Sequence, residues 1–371
     1  MTEIAMDAPG VTARSLREDH IDGILELMNK EGWYYYDRRE LERYVSSDQV
    51  CYVLLKDGRV IGSIFTTGFG GQAWIGNIVV SREARGTGLA RKMIDIVISD
   101  LRKRGIGTFR LGSVPLAIRL YKKVGFRPEG FTSAQEANLP VEDKSPGPEL
   151  GDGAAVEPLQ ESDLRAVCDL DWSFFKSDRK RLLRRLFEDS VEGARVCLKA
   201  GGKVAGFLMI RRRAVSKKEG GFAEGPDHAY RLGPACVLPE HGIAGFKALF
   251  RKAIPAINEE AARLGGSAKI YVVFPRNAAK DGIYKDTRDL AAVMGMDAGL
   301  DLDAVFDEHE HIFAAAPSKK NAAQWDYMES LGFHQEYFEQ VMSYAPDKGK
   351  AEATRADPEG IFATATPGDK A

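Results

Sequence analysis

The stretch from Ala73 to Ala90, AWIGNIVVSREARGTGLA, limits what this chain can fold into more than any other. Trp74 to Val80 is rich in β-branched and aromatic residues and reads as a strand. Arg85-Gly86-Thr87-Gly88 reads as a tight turn. The run LARKMIDIVISDLRKR follows, with Leu89, Met93, Val97 and Leu101 four apart on one helical stripe. A strand that passes through a glycine turn into a helix makes an anion site. The first N–H groups of a helix have no partner inside it, and glycines let an anion approach the backbone. Two familiar anion loops are excluded. A phosphate loop of the form GxxxxGK[ST] is absent. A dinucleotide loop needs a third glycine where Arg91 stands.

The pattern that fits is R-x-x-G-x-A, carried by Arg85, Gly88 and Ala90. A second segment, AIRLYKKVGF from Ala117 to Phe126, has the form A-x-x-L-Y-x-x-x-GF. Together the two resemble the GNAT superfamily of acyl-CoA-dependent N-acyltransferases. In that family the first segment is the loop that holds the acyl-CoA pyrophosphate. The tyrosine of the second, here Tyr121, is often the acid that protonates the leaving thiolate. Asn often precedes that Ala by three residues, and here the place is Val114.

Other elements fall around this centre. Residues 1–10 read as a flexible end, and Val11 to Leu16 as a first strand. Asp19 is placed to cap a helix carrying Ile21, Ile24, Leu25 and Met28. Trp33-Tyr34-Tyr35-Tyr36-Asp37 reads as an aromatic loop, and Asp57-Gly58 as a hairpin turn. From 138 to 153 the chain is polar and rich in Pro and Gly, a linker. The pattern then repeats. Leu159 to Leu170 echoes Leu16 to Leu27, Val196 to Ile210 echoes Cys51 to Phe65, Leu232 to Val237 echoes Ile75 to Val80, and Lys319 to Phe333 echoes the segment around Tyr121. A repeat this long is a duplicated domain.

The expected fold is therefore α/β (α+β). Two tandem GNAT-like domains, 11–137 and 154–345, each hold a mixed, mostly antiparallel sheet flanked by helices. The second copy reads as degenerate. Aligned without gaps, it places Gly242, Gly245 and Lys247 where Arg85, Gly88 and Ala90 stand, and Met328 in the place of Tyr121, while Asn321 is kept. It also carries an extra segment, about 276–309. Two strand candidates, Ile270 to Phe274 and His311 to Ala315, compete for one slot. Residues 346–371 read as a disordered tail.

The chemistry expected of the first copy is transfer of an acetyl group from acetyl-CoA to an amine. Turn residues Arg85, Gly86, Thr87, Gly88, Leu89 and Ala90 would hold the cosubstrate. Main-chain N–H groups of Ile78, Val79 and Val80 would receive its carbonyl as charge builds there. Each charge-assisted hydrogen bond contributes about 1.5–3 kcal/mol. An alkylamine with a pKa of about 10.4 must lose a proton first, at a cost of about 4–5 kcal/mol at pH 7. The central strand offers Asn77 and no acid; Glu83 reads as a surface carboxylate, and Asp37 is a candidate base. Trp33 to Tyr36 are candidates to line the acceptor pocket. The rival reading is an acyl-CoA-binding regulator without turnover, or a transferase of a longer acyl group.

The acceptor, a small molecule or a peptide amine, is not specified by the sequence. A net charge of −2 gives no bulk case for nucleic acid. The four cysteines lie far apart, and no metal set is indicated; His309-x-His311 and the basic run Arg211-Arg212-Arg213 read as solvated surface. The start of the chain carries no signal-peptide pattern and no run has the length of a membrane span, so the expectation is a cytoplasmic protein. The second copy would shape the acceptor cleft or mediate homodimerisation.

Overall fold

The computed structural model describes residues 3–31, 33, 36–113, 115–213, 215, 226–276, 322–345 and 361–363. The first half runs β1 (Glu3–Ala5), β2 (Val11–Ser15), α1 (Ile21–Lys30), α2 (Arg38–Val45), β3 (Tyr52–Lys56), β4 (Arg59–Phe69), β5 (Gln72–Val80), α3 (Leu89–Lys103), β6 (Thr108–Ser113), α4 (Pro115–Val124) and β7 (Arg127–Asn138). The second half repeats the plan. It runs β8 (Ala154–Pro158), α5 (Leu164–Phe175), α6 (Lys180–Asp189), β9 (Ser190–Ala200), β10 (Lys203–Arg213), β11 (His228–Val237), α7 (Gly242–Leu264), β12 (Ala268–Arg276), α8 (Ala322–Ser330), β13 (His334–Tyr344) and β14 (Ile361–Ala363).

Alternating apolar residues explain the layers. Along β3, Tyr52 and Leu54 join a core with Met93, Ile94 and Val97 of α3. Their neighbours Cys51, Val53 and Leu55 point the other way, onto Ile24 and Met28 of α1 and Leu41 of α2. A strand with apolar residues on both faces needs a helix layer on each. The second half obeys the same rule. Leu208 and Ile210 of β10 face α7, whereas Phe207 and Met209 face α5 and α6. Helix α3 buries six apolar side chains, each contributing about 1.5–3 kcal/mol.

The two sheets join into one. Its order is β1-β2-β3-β4-β5-β6-β13-β7-β12-β11-β10-β9-β8, with β14 beside β11. Among the described strands, the parallel pairs are β5 with β6 and β11 with β12. Each half lends a strand to the other. Strand β13 lies between β6 and β7, so that Val341 faces both Gly112 and Gly130. Strand β7 lies in turn between β13 and β12, with Tyr271 opposite Glu136.

Side chains lock the seam. Arg43 of α2 grips Asp189 of α6 through two bonds of 2.9 and 3.0 Å. Buried Arg110 donates to Gln72, which donates to Ser177 of the second half. Gly70, at the tip of the β4–β5 hairpin, has φ +55°, and a Cβ there would stand 2.7 Å from the backbone nitrogen of Asp178. Only glycine fits this approach.

Several expectations need correction. The flexible N-terminus expected for residues 1–10 contains β1, which pairs with β2 through Ile4 and Ala13. Asp19 does not cap α1, because a 3-10 turn at Glu18–His20 precedes the helix. The stretch 138–153 is packed: Val141 is buried, its N–H and C=O are bound by Asn258, and Asp143 is held by Arg251 and Tyr327. The tail read as disordered contains β14. The basic run lies in β10, not in a loop: Arg211 is buried and donates to the Gly233 carbonyl, and Arg212 pairs with Glu260. Of the two competing strands, Ile270 to Phe274 fills the slot beside β11 as part of β12. The rival 311–315, Asn321, His309, His311 and the extra segment beyond Arg276 lie outside the described residues.

Candidate active site

Strand β5 and its continuation build the site. The pairing with β4 slips between Ser63, opposite Val79, and Phe65, opposite Gly76. Two residues of β5, Asn77 and Ile78, thus oppose Ile64 of β4, which makes a β-bulge and bends the strand. Asn77 occupies the bulge at φ 51°, a left-handed conformation that asparagine tolerates better than most residues. Its Oδ1 accepts a 2.5 Å hydrogen bond from the Tyr36 hydroxyl, and its carbonyl accepts from Ser63 Oγ at 3.2 Å. Its Nδ2 is buried without a hydrogen-bond partner among the described residues. Among the described residues the bulge therefore keeps an unused donor.

On its other side β5 pairs with β6 only from Gln72 to Trp74. From Ile75 to Val80 that edge faces a cleft with no strand beside it among the described residues. The cleft leads to the turn. A single 3-10 turn, Arg82–Ala84, precedes Arg85, and Gly86 and Gly88 then take φ +77° and +83°. A Cβ built on either glycine would meet nothing within 4 Å, so the turn opens to solvent. Helix α3 starts at Leu89, with its first internal bond from Lys92 N–H to the Gly88 carbonyl at 3.1 Å. No acidic residue stands in its first turn and no side chain caps it. The N–H groups of that turn are therefore presented to an anion.

Arg85 and Thr87 shape the turn from within. Arg85 Nε donates to the Val80 carbonyl at 3.0 Å, and its Nη2 meets Glu31 Oε2 at 2.6 Å. Thr87 Oγ1 donates to the Ala84 carbonyl at 2.7 Å. Sequence reasoning missed the Glu31–Arg85 pair, because nothing local links a residue after α1 to the turn. The Tyr36–Asn77 bond was missed for the same reason.

Tyr121 projects from α4 into the core that also holds Val80, Leu89 and Ile118. It is 6% exposed and meets Phe126 edge-on at 6.1 Å. The structure thus brings Tyr121, the end of β5 and the start of α3 into one cluster. Asp37 is used elsewhere: it caps α2, accepting from Glu40 N–H at 2.8 Å. Glu83 is exposed, and hydrogen bonds from its own backbone N–H and from Ser81 hold its carboxyl below the usual range. Tyr34 and Tyr35 lie outside the described residues; Tyr36 is buried and Trp33 half-buried. Among the described residues no three His, Cys, Asp or Glu side chains gather as a metal set, and no helix is long and apolar enough to cross a membrane.

The corresponding place in the second half has a different shape. Helix α7 starts at Gly242, four residues earlier relative to its strand than α3 does. Gly245, in the place of Gly88, is buried inside the helix, and a Cβ there would stand 2.7 Å from Val237 and 3.0 Å from Leu198. Lys247 lies over the Tyr327 ring at 4.6 Å, and Met328 is fully buried.

A bulged strand, an open parallel cleft and a bare helix start frame the candidate site. Residues 17–126 match the model of the acetyltransferase (GNAT) family. An uncharacterized N-acetyltransferase of Bacillus subtilis (strain 168), YitH, is 27% identical over 179 residues, which cover 48% of this chain and 60% of that protein. The match therefore spans about three fifths of the curated relative. A crystal structure of a putative acetyltransferase from Pyrococcus horikoshii superposes with a TM-score of 0.60 at 14% identity, covering 99% of this chain and 98% of that one. A tandem GNAT protein from the clavulanic acid biosynthesis pathway superposes with a TM-score of 0.52 at 12% identity, covering 94% of this chain and 100% of that one. Identities this low show the shared fold and no more.

Proposed function

We propose that the first half binds acetyl-CoA in the cleft between β5 and β6 and transfers its acetyl group to a primary amine of a small molecule or peptide. One observation carries the reading: the edge of β5 that no described strand pairs with runs directly into the glycine turn and the bare start of α3. An elongated ligand with an anionic end suits that path. The residues present fit it, since the turn has room at both glycines and the bulge keeps the Asn77 donor.

When bound, acetyl-CoA supplies an activated thioester. The N–H groups of Gly88, Leu89 and Ala90 hold its pyrophosphate, with Gly86 and Thr87 forming the turn and Arg85 bracing it through Glu31. The N–H groups near Ile78, Val79 and Val80 receive the carbonyl oxygen as it gains charge. An amine that enters uncharged, its extra proton left in solvent, would bond through nitrogen to the carbonyl carbon as the C–S bond breaks; Tyr121 would give its hydroxyl proton to the departing sulfur and be reprotonated by the proton the nitrogen sheds. Tyr36 and Asn77 mark the acceptor wall. A second reading, an acyl-CoA-binding regulator, draws on Asp37 being committed to a helix cap and Glu83 lying at the surface.

Calorimetric titration of the full chain with acetyl-CoA tests the binding step. One site per chain is the expected result. No binding by folded protein would remove acetyl-CoA from the reading. Thiol release across a panel of amines then separates the two readings, because a regulator binds and releases no CoA.

A further inference from the structure

The duplicated fold has two versions of one groove. In the first half, β5 parts from β6 after Trp74. In the second half, β11 pairs with β12 from His228 to Leu232 and then parts from it. The bulge is repeated as well. Leu208 faces Ala235 and Ile210 faces Leu232, so β11 carries an extra residue at Gly233–Pro234, one position before the place that aligns with the Asn77–Ile78 bulge of β5. The second groove, however, is filled. Strand β14 enters it antiparallel to β11, with Ala363 opposite Ala235 and Ile361 opposite Cys236. It also lies against β12.

The register identifies the place. With Val237 set on Val80, Ala235 and Cys236 take the positions of Ile78 and Val79. Beyond its pairing with β12, β11 is buried throughout: Ala235, Cys236 and Val237 are each 0% exposed. That burial includes the cover β14 provides; without it this edge of β11 would present its N–H and C=O groups to water or to another strand. Among the described residues the second groove has no anion cradle, because α7 starts at once and Gly245 is packed against Leu198 and Val237. What it offers is backbone alone. An extended peptide answers such a surface by strand addition.

We propose that the groove between β11 and β12 is a strand-addition site whose resident ligand is the chain's own segment 361–363. The tail is a tethered ligand, and the groove does not take a second acyl-CoA while the tail is in place. A tethered strand competes at an effective concentration of order millimolar, which favours it over free peptides at ordinary concentrations. The proposal needs no acyl-transfer chemistry and stands apart from the reading of the first half.

Hydrogen exchange on the full chain tests it. Proline lacks the N–H that a ladder needs, so the double variant Ile361→Pro, Ala363→Pro releases the tail without shortening the chain. Exchange in the segment 233–237 is expected to rise at least about tenfold in the variant, while the segment 75–80 is unchanged. Excess synthetic peptide of residues 357–367 restores the protection, and a scrambled peptide does not. Unchanged exchange at 233–237 in the variant would overturn the proposal. Faster exchange that the native peptide fails to reverse would overturn it too, as would equal rescue by the scrambled peptide.

Discussion

The two strand-to-helix junctions start from the same plan and reach opposite ends. After β5 the chain makes a solvent-open turn through Gly86 and Gly88 before α3 begins, and the helix start is bare. After β11 the helix begins at Gly242, and the glycine in the place of Gly88 is packed against Leu198 and Val237. One glycine is kept for its backbone angle, the other for its lack of volume. A binding junction needs amides with nothing beside them. A structural junction closes every gap. The difference between the two lies in four residues of helix start, without any change of fold.

This comparison can be broken at its two glycines. Gly88→Val forces a β-branched residue to φ +83° and fills the turn with side chain. Acetyl-CoA affinity should fall by about a hundredfold or more, the equivalent of about two charge-assisted hydrogen bonds, with little change in melting temperature. Titration of the variant at unchanged affinity would remove the turn from the binding reading. Tyr121→Phe should come next in size: kcat falls about 10²-fold, while acetyl-CoA affinity holds. An unchanged rate would return Tyr121 to packing against Phe126.

Gly245→Val should do the reverse of Gly88→Val. Overpacking against Leu198 and Val237 costs about 1–3 kcal/mol, read as an earlier denaturant midpoint, and acetyl-CoA affinity stays as it was. A variant that loses affinity instead would place a ligand at the second junction. The smallest effect concerns Asp143, whose segment crosses α7. Burial alone would raise its carboxyl pKa, but hydrogen bonds from Arg251, Ser145 and Tyr327 outweigh that and hold it well below the usual carboxylate range. A depressed folded-state pKa stabilises the fold above the unfolded value of about 3.9 and ceases to do so as pH falls through the folded one. Asp143→Asn should therefore cost about 2 kcal/mol at pH 7. Its gap to the parent chain should narrow below about pH 4. A gap that is constant with pH would show the pairing to be neutral in effect.

Much of this was legible where the signal is local. The β-branched run, the two glycines and the four-residue apolar spacing specify strand, turn and helix within 30 residues, and the repeat exposed the duplication. The Gly86–Gly88 turn was read as the turn that opens helix α3. What was not legible depends on partners distant in the chain. Glu3–Ala5 looks like a loose end until β2 lies beside it. Arg211 looks solvated by composition, yet its guanidinium satisfies the Gly233 carbonyl inside the fold. The pairings of β13 and β14 join segments that share no pattern, since any alternating or small apolar strand of suitable length presents the same backbone.

The place of β13 has a consequence for how the molecule is made. Strand β6 ends at Ser113, and the strand that covers its edge begins at His334. At a synthesis rate of about 5–20 residues per second, the ribosome delivers that strand of the order of 10–40 s after β6. Through that interval the nascent first half has an open edge, the kind of surface on which chains aggregate. The closing strand of the first half is therefore delivered last, and a nonsense codon between Asn138 and His334 would release a first half that contains every proposed catalytic residue and lacks that strand.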